Sequence, residues 1–561
     1  MSGHNEVIYR PATPPESALA NWRGFSPGRS VLAAGTTFSA NGRPLPCDIA
    51  LDRDVALTLP DGTTLYADVY TPTGRGPVPA ILVWSPYGKQ GGFWSYDMFP
   101  LRAGVAEDAT SGLEKFEGPD PAFWCAHDYA IVNVDPRGAF ESQGRGQFFS
   151  PQEAQDGYDV VEWIAAQSWC TGAVAMAGNS WLAAMQWRIA ALRPPHLVAI
   201  APWEGFTDIY RDLTCRGGIP EQIFVETLVA NNFGRHEVED AVAMTQQHPY
   251  IDDYWQTKIA DIEAIDVPAY VVASWTNPLH VRGTLDAFSR LDTAKSWLRV
   301  HNSLEWPDQY AHEDDLLRFF DYTIKAEDND WPRTPRVRLT VLDPGGADLL
   351  WRPENEWPLA RATEHVLYLD AAGNEMSAHL PSAANSVKLD AAHGLVAFRT
   401  SFPEDVELAG PLAVHLYVCT ERATDVDFYV FVRKLDAAGE PLLTCLPMGV
   451  PIPGAKGQLR ASHRELDTDA STELVPVHRH KTAHPLLPGE IVSLDVPIWP
   501  VAMTWHAGEQ LELVISTQDL FPTSALVAGP SQLDEESTSQ AGSVTLCTGG
   551  QYPARLTVSR A

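Results

Sequence analysis

Between residues 53 and 301 the chain passes again and again through short segments that are almost wholly apolar: "VPAILVWSPYG", "YAIVNVDPRG", "AVAMAGNS", "LVAIAPWEG", "AYVVASWTN" and "SWLRVHNS". A strand with one face in water alternates apolar and polar residues, so a strand apolar throughout has both faces covered. Stretches of helical character lie between several of these runs, for instance "EAQDGYDVVEWIAAQ" and "RGTLDAFSRL". Strands alternating with helices predict a mostly parallel sheet with helices on both faces, an α/β fold.

Other zones are set off from this rhythm. Residues 1–50, rich in Pro, Gly and Ser, read as an extended arm over the surface. A period-two segment with an Asp61-Gly62 turn, "DVALTLPDGTTLYADVYTP", opens a core segment spanning 51–206. Residues 207–263 are helical by composition and offer no buried strand; at the carboxyl side of the sheet such an insertion forms a cap. The core resumes over 264–335. From 336 to 561 the pattern becomes short alternating strands, such as "LAVHLYVCT" and "QLELVIST", parted by Gly, Pro and Asp turns, which reads as an antiparallel β-sandwich.

Charge narrows the partners. The 72 Asp and Glu against 40 Lys and Arg leave a net charge of −32. A surface this negative repels nucleic acid and anionic lipid, so neither is expected as a partner. The cysteines are seven, scattered and without a C-x-x-C pair, which suits free thiols in a reducing compartment. With no basic and apolar leader at the N-terminus and no membrane-length apolar run, a cytoplasmic protein is expected. No P-loop, dinucleotide fingerprint or H-E-x-x-H occurs, so no cofactor and no metal is expected. Self-association into a homo-oligomer stays open.

The chemistry centres on "AVAMAGNSWLAAMQWRIAAL", where a buried strand turns straight into an alanine-rich helix at Ser180. A serine hydroxyl needs a base to become a nucleophile, and donors aimed at the oxyanion it creates. A strand–Ser–helix corner supplies one donor through the backbone N–H of the next residue, here Trp181. Gly178, Ala183 and Ala184 are small enough for the close packing such a corner demands. The full G-x-S-x-G pattern is not met, because Leu182 stands two places after the serine.

The surroundings of Ser180, "DPRGAFESQGRGQFFSPQEAQDGYDVVEWIAAQSWCTGAVAMAGNSWLA", closely resemble the signature of the CocE/NonD hydrolases, relatives of X-Pro dipeptidyl-peptidases, cocaine esterase and α-amino-acid ester hydrolases. The resemblance extends to "DGTTLYADVYTP", "RFFDYTIK" and, near the C-terminus, "LPGEIVSLDVPIWPVAMTWHAGEQLELVIS". It implies an α/β-hydrolase core, a helical cap and a C-terminal jelly-roll β-sandwich, with Ser180 as nucleophile and a second oxyanion donor on Tyr87 in "PYG".

The base and acid depart from the family pattern. The family's acid position falls on Asn277 in "SWTNPLH", which carries no charge, and its base position falls nearest Glu305 in "RVHNSLEWPDQY". Three arrangements follow. In the favoured one His301 is the base, held by Glu305, Asp308 or Asn277; in the second His280 is the base with Glu305 as its acid; in the third no base is in reach. Trp181 and Trp275, beside the nucleophile and the acid turn, are expected in the substrate pocket. The reading is a serine hydrolase that cleaves small-molecule carboxylic esters or amides through an acyl-enzyme on Ser180. An acyltransferase using the same acyl-enzyme, or a ligand-binding pseudo-hydrolase, are the alternatives.

Overall fold

The computed structural model describes residues 6–89, 91–292, 294–303, 305–445, 451–452, 454–521 and 542–561. One sheet has 11 strands: β1 (Gly28–Leu32), β2 (Ile49–Thr58), β3 (Thr64–Pro72), β4 (Val78–Trp84), β5 (Ala130–Asp135), β6 (Cys170–Asn179), β7 (Leu197–Trp203), β8 (Ala269–Ser274), β9 (Ser296–His301), β10 (Val337–Val341) and β11 (Leu349–Glu354). Across the sheet they run β11-β10-β9-β8-β7-β6-β4-β5-β3-β2-β1. Strands β4 to β10 pair parallel, and the two margins are antiparallel. Every residue of β4, β5, β8 and β9 is buried, as unbroken apolar runs require.

After β4 the chain goes to β5 on one side and then to β6 on the other. That reversal opens a crevice at the carboxyl ends of β4 and β6, where ligands of such sheets bind. Behind it lie helices α1 (Pro151–Ala165) and α2 (Trp181–Ala191). Two side chains, Ser150 and Glu153, satisfy backbone N–H groups at the start of α1. The Ser150 hydroxyl accepts from Glu153 N–H at 3.0 Å, and the Glu153 carboxylate accepts from Phe149 N–H at 2.7 Å. Gly157 lets α1 lie against α2, since a Cβ there would come within 2.2 Å of Ile189.

The insertion carries helices Gln222–Ala230, Ala241–Gln247 and Asp253–Gln256, together with a short strand, Glu237–Glu239. That strand pairs antiparallel with Tyr9–Pro11, so the N-terminal arm is laced onto the insertion. Beyond residue 335, β10 and β11 still belong to the core sheet, although "RVRLTVLD" alternates like a sandwich strand. Register against β9, which periodicity does not report, decides their membership.

Among the described residues, strands from Thr363 to Arg560 form a second, mostly antiparallel sheet of 12 strands. Its last strand, Arg555–Arg560, pairs both with Thr363–Asp370 and with Val406–Thr420, which closes the sheet on itself as a barrel-like sandwich. Among the described residues no helix is long and apolar enough to cross a membrane.

Candidate active site

Ser180 sits between the last residue of β6 and the first of α2, with φ 56° and ψ −117°. A non-glycine residue held there costs on the order of 1–3 kcal/mol and persists only where its surroundings fix it. Here they do. Ser180 N–H donates to the Glu204 carbonyl at 3.0 Å, its own carbonyl accepts from Ala184 N–H at 2.9 Å, and Asn179 N–H donates to the Glu117 carbonyl at 3.1 Å. A Cβ on Gly178 would meet Leu182 at 2.4 Å, which is why the corner needs glycine at that place.

Two donors flank the serine. Trp181 is the first residue of α2, so its N–H is among those with no intrahelical acceptor. The Tyr87 phenol, on the turn after β4, lines the same cavity as Ser180. Burial, and then the neighbouring Glu117, push that phenol well above its ordinary range, so it stays a donor. The Trp181 ring lies over Phe149, with centroids 4.1 Å apart, and its indole N–H donates to Glu153 at 3.2 Å. Trp84 donates to the same carboxylate at 3.2 Å. Glu153 therefore also orients the tryptophan beside Ser180.

Ser180 opens onto a cavity whose wall includes Tyr87, Trp94, Phe116, Glu117, Trp181, Phe206, Asn277, His280, Glu305 and Trp306. His280 belongs to this wall. It precedes helix α3 (Val281–Arg290), its ring stacks on Phe206 with centroids 5.8 Å apart, and it is only 3% exposed. Nδ1 of His280 lies 2.8 Å from the Asn277 side-chain nitrogen and 3.4 Å from Glu305 Oε1. Nε2 is buried without a hydrogen-bond partner. Asn277 also donates to Glu305 Oε2 at 2.5 Å and accepts from Leu279 N–H at 2.9 Å, which fixes the orientation of its amide. Glu305 and Trp306 begin helix α4 (Glu305–Ala311).

His301 and Trp275 lie elsewhere. His301, at the end of β9, is buried behind the cavity wall with Nε2 2.8 Å from Glu204 and 3.6 Å from Asp308. Burial acts to lower its pKa, but Asp308 and the hydrogen bond to Glu204 outweigh it, and the net shift is upward. Asp308 is held well below the usual carboxylate range despite its burial, chiefly by Arg299, which grips it at 2.8 and 2.5 Å. The sequence favoured His301 because it ends a strand at the correct edge; its ring is instead consumed by a buried ion-pair network. Trp275, expected in the pocket, packs on Trp357 at 5.4 Å and donates to the Thr340 carbonyl at 2.6 Å, in the core where β8 meets the C-terminal unit. Asp308, weighed as an orienting acid, serves Arg299 and His301.

Two acidic residues escaped the sequence reading. Glu117, on the loop before the short helix Pro121–Ala126, lines the cavity, accepts from the Trp306 indole at 3.0 Å and leaves Oε2 buried without a partner. Burial first, then Glu305, push its carboxyl well above the usual range. Glu204 follows β7 with φ 54°, and burial raises its pKa. Nothing in "FEG" or "WEG" marks either residue apart from the chain's many other acids.

A serine on a strained strand–helix corner, at the switch point of a parallel sheet, defines a hydrolase of the α/β-hydrolase fold. Residues 61–241 match the family model of the X-Pro dipeptidyl-peptidases (S15 family), and residues 329–557 match that of the X-Pro dipeptidyl-peptidase C-terminal non-catalytic domain. A crystal structure of a CocE/NonD family hydrolase from Staphylococcus aureus is 30% identical and superposes with a TM-score of 0.88 over 98% of this chain and 99% of that one. The chain belongs to the CocE/NonD family of hydrolases. Cocaine esterase from Rhodococcus sp. (strain MB1 Bresler) is 27% identical over 57% of this chain and 62% of its own length. An α-amino-acid ester hydrolase, 17% identical, shares the fold with a TM-score of 0.68 over 92% of this chain and 97% of that chain. The expected core and C-terminal sandwich are those found.

Proposed function

We propose that this serine hydrolase cleaves carboxylic esters or amides through an acyl-enzyme on Ser180, with His280 as base and Glu305 as its acid. The observation that carries the reading is that His280 shares the Ser180 cavity, with Nε2 unpartnered and Glu305 on its Nδ1 side. Relative to the family pattern the roles are exchanged between two loops. The imidazole comes from the turn after β8, where the family keeps its acid, and the carboxylate comes from the turn after β9, where the family keeps its base.

The chemistry follows from these positions. Ser180 Oγ attacks the carbonyl carbon as His280 Nε2 takes its proton, and negative charge moves onto the carbonyl oxygen. Tyr87 O–H and Trp181 N–H donate to that oxyanion. Glu305 balances the imidazolium through Nδ1–H. His280 then protonates the leaving group, and water, deprotonated by the same imidazole, releases the acid. The aromatic wall suits an apolar acyl or leaving group.

Asn277 opposes this cycle. When its amide donates to Nδ1, the other ring proton sits on Nε2, and the imidazole cannot accept from serine. That contact favours a slow hydrolase, and in the limit a ligand-binding relative. A fluorophosphonate probe tests the reading: Ser180 is expected to be labelled, and Ser180→Ala to lose labelling and p-nitrophenyl ester hydrolysis while keeping its circular dichroism. An unlabelled Ser180 in folded protein refutes the hydrolase reading in favour of the binding one.

A further inference from the structure

We propose that Glu204, His280 and Glu305 form a site for a divalent transition-metal ion of the zinc type, and that filling it switches the hydrolase off. Among the described residues these three are the one group of His, Cys, Asp or Glu side chains whose ligand atoms lie within 4.8 Å of one another. All are buried, at 1%, 3% and 4% exposure. Each also carries an atom with no hydrogen-bond partner: Glu204 Oε2, His280 Nε2 and Glu305 Oε1.

A buried polar atom without a partner is costly, and an ionisable one more so. A cation held among these three side chains would satisfy groups that the protein leaves without partners. The second oxygens are already committed, Glu204 Oε1 to His301 at 2.8 Å and Glu305 Oε2 to Asn277 at 2.5 Å. Those bonds hold the carboxylates with one lone-pair face each left over, as outer partners of metal ligands do. Around a tetrahedral zinc at about 2.0–2.1 Å per bond, ligand atoms stand about 3.3 Å apart. Closing from 4.8 Å to that spacing needs each side chain to move by less than about 1 Å.

One imidazole nitrogen and two carboxylate oxygens form a set that zinc accepts, and two of the three residues, His280 and Glu305, line the Ser180 cavity. The carboxylates sit on two different turns, after β7 and after β9, and the imidazole follows β8, so the site exists only in the folded protein. Binding ties up the imidazole that takes the serine proton, and it neutralises the carboxylate that balances the imidazolium. The inhibition rests on His280 being the base, as proposed above; the binding does not.

The test uses full-length protein stripped with EDTA and titrated with Zn²⁺ and with Co²⁺. Calorimetry is expected to give one tight equivalent of Zn²⁺, and Co²⁺ to show the visible bands of a four-coordinate ion, displaced by Zn²⁺. Glu204→Gln keeps an oxygen for His301 and is expected to weaken Zn²⁺ binding at least tenfold. Its inhibition is read against its own metal-free rate. Absence of a tight equivalent in the wild-type protein overturns the site. So does equal affinity in Glu204→Gln, which would assign the ion to surface groups such as His506 with Asp343 and Asp405. Binding that is lost in Glu204→Gln yet leaves ester hydrolysis unaffected upholds the metal site and removes His280 as base.

Discussion

Replacing each candidate histidine by alanine separates a kinetic role from a structural one. His280 lines the Ser180 cavity and, among the described residues, makes no close ion pair apart from the 3.4 Å approach to Glu305. His280→Ala therefore removes the base and leaves Tyr87 O–H and Trp181 N–H in place. Loss of such a base costs about 10³–10⁶ in rate, or about 4–8 kcal/mol of barrier. His301, 2.8 Å from Glu204 and 2% exposed, does the reverse. Its removal strands a buried carboxylate, a defect worth about 3–5 kcal/mol of stability. The His301 pKa is raised on folding. The stabilisation it supplies is fully present below the unfolded value of about 6.5 and is lost as pH rises through the folded value. The stability gap between wild type and His301→Ala is thus widest in acid and narrows in alkali. The assay is the single-turnover burst of p-nitrophenolate, with thermal melts across pH. The expected pattern is a folded, non-acylating His280→Ala and a destabilised His301→Ala that acylates while folded, with His301→Gln as the milder companion. A His280→Ala that acylates at the wild-type rate, beside a folded His301→Gln that does not, refutes the reasoning.

Tyr87→Phe is expected to lower kcat by about 10²–10³ with little change in KM, since the phenol matters once charge reaches the oxygen; steady-state kinetics on p-nitrophenyl esters decide it. Asn277→Asp replaces a donor on Nδ1 with an acceptor, so kcat is expected to rise; the new carboxylate and Glu305, this close, retain one proton between them. An unchanged or lower kcat counts against the tautomer argument. Glu117 has its pKa raised in the folded protein, so its burial costs increasing stability as pH climbs from about 4.5 toward the folded value. Glu117→Gln is expected to flatten that decline in pH-dependent melts, and a parallel decline in both proteins contradicts it.

Sequence alone settled what depends on pattern. Unbroken apolar runs announce strands covered on both faces, alternating runs announce the sandwich, and a strand that enters a helix at Ser180 without a loop announces the corner. These are local properties, fixed by the period of the side chains and the reach of a few peptide bonds. The stretch around residues 135–191 was equally legible, because the family's motif and the serine corner lie together in it. The partner of Ser180 was not. His280 and His301 both follow strands at the same edge of the sheet, and which ring turns toward the cavity depends on what fills the space behind it. There Glu204 and Asp308, the latter gripped by Arg299, claim His301, while His280 lines the cavity that Ser180 lines. Glu117 and Glu204 were invisible for the same reason. A carboxylate differs from the surface acids of a chain with 72 of them only by its burial. Burial is set by contacts between elements far apart in the chain, which no local pattern encodes.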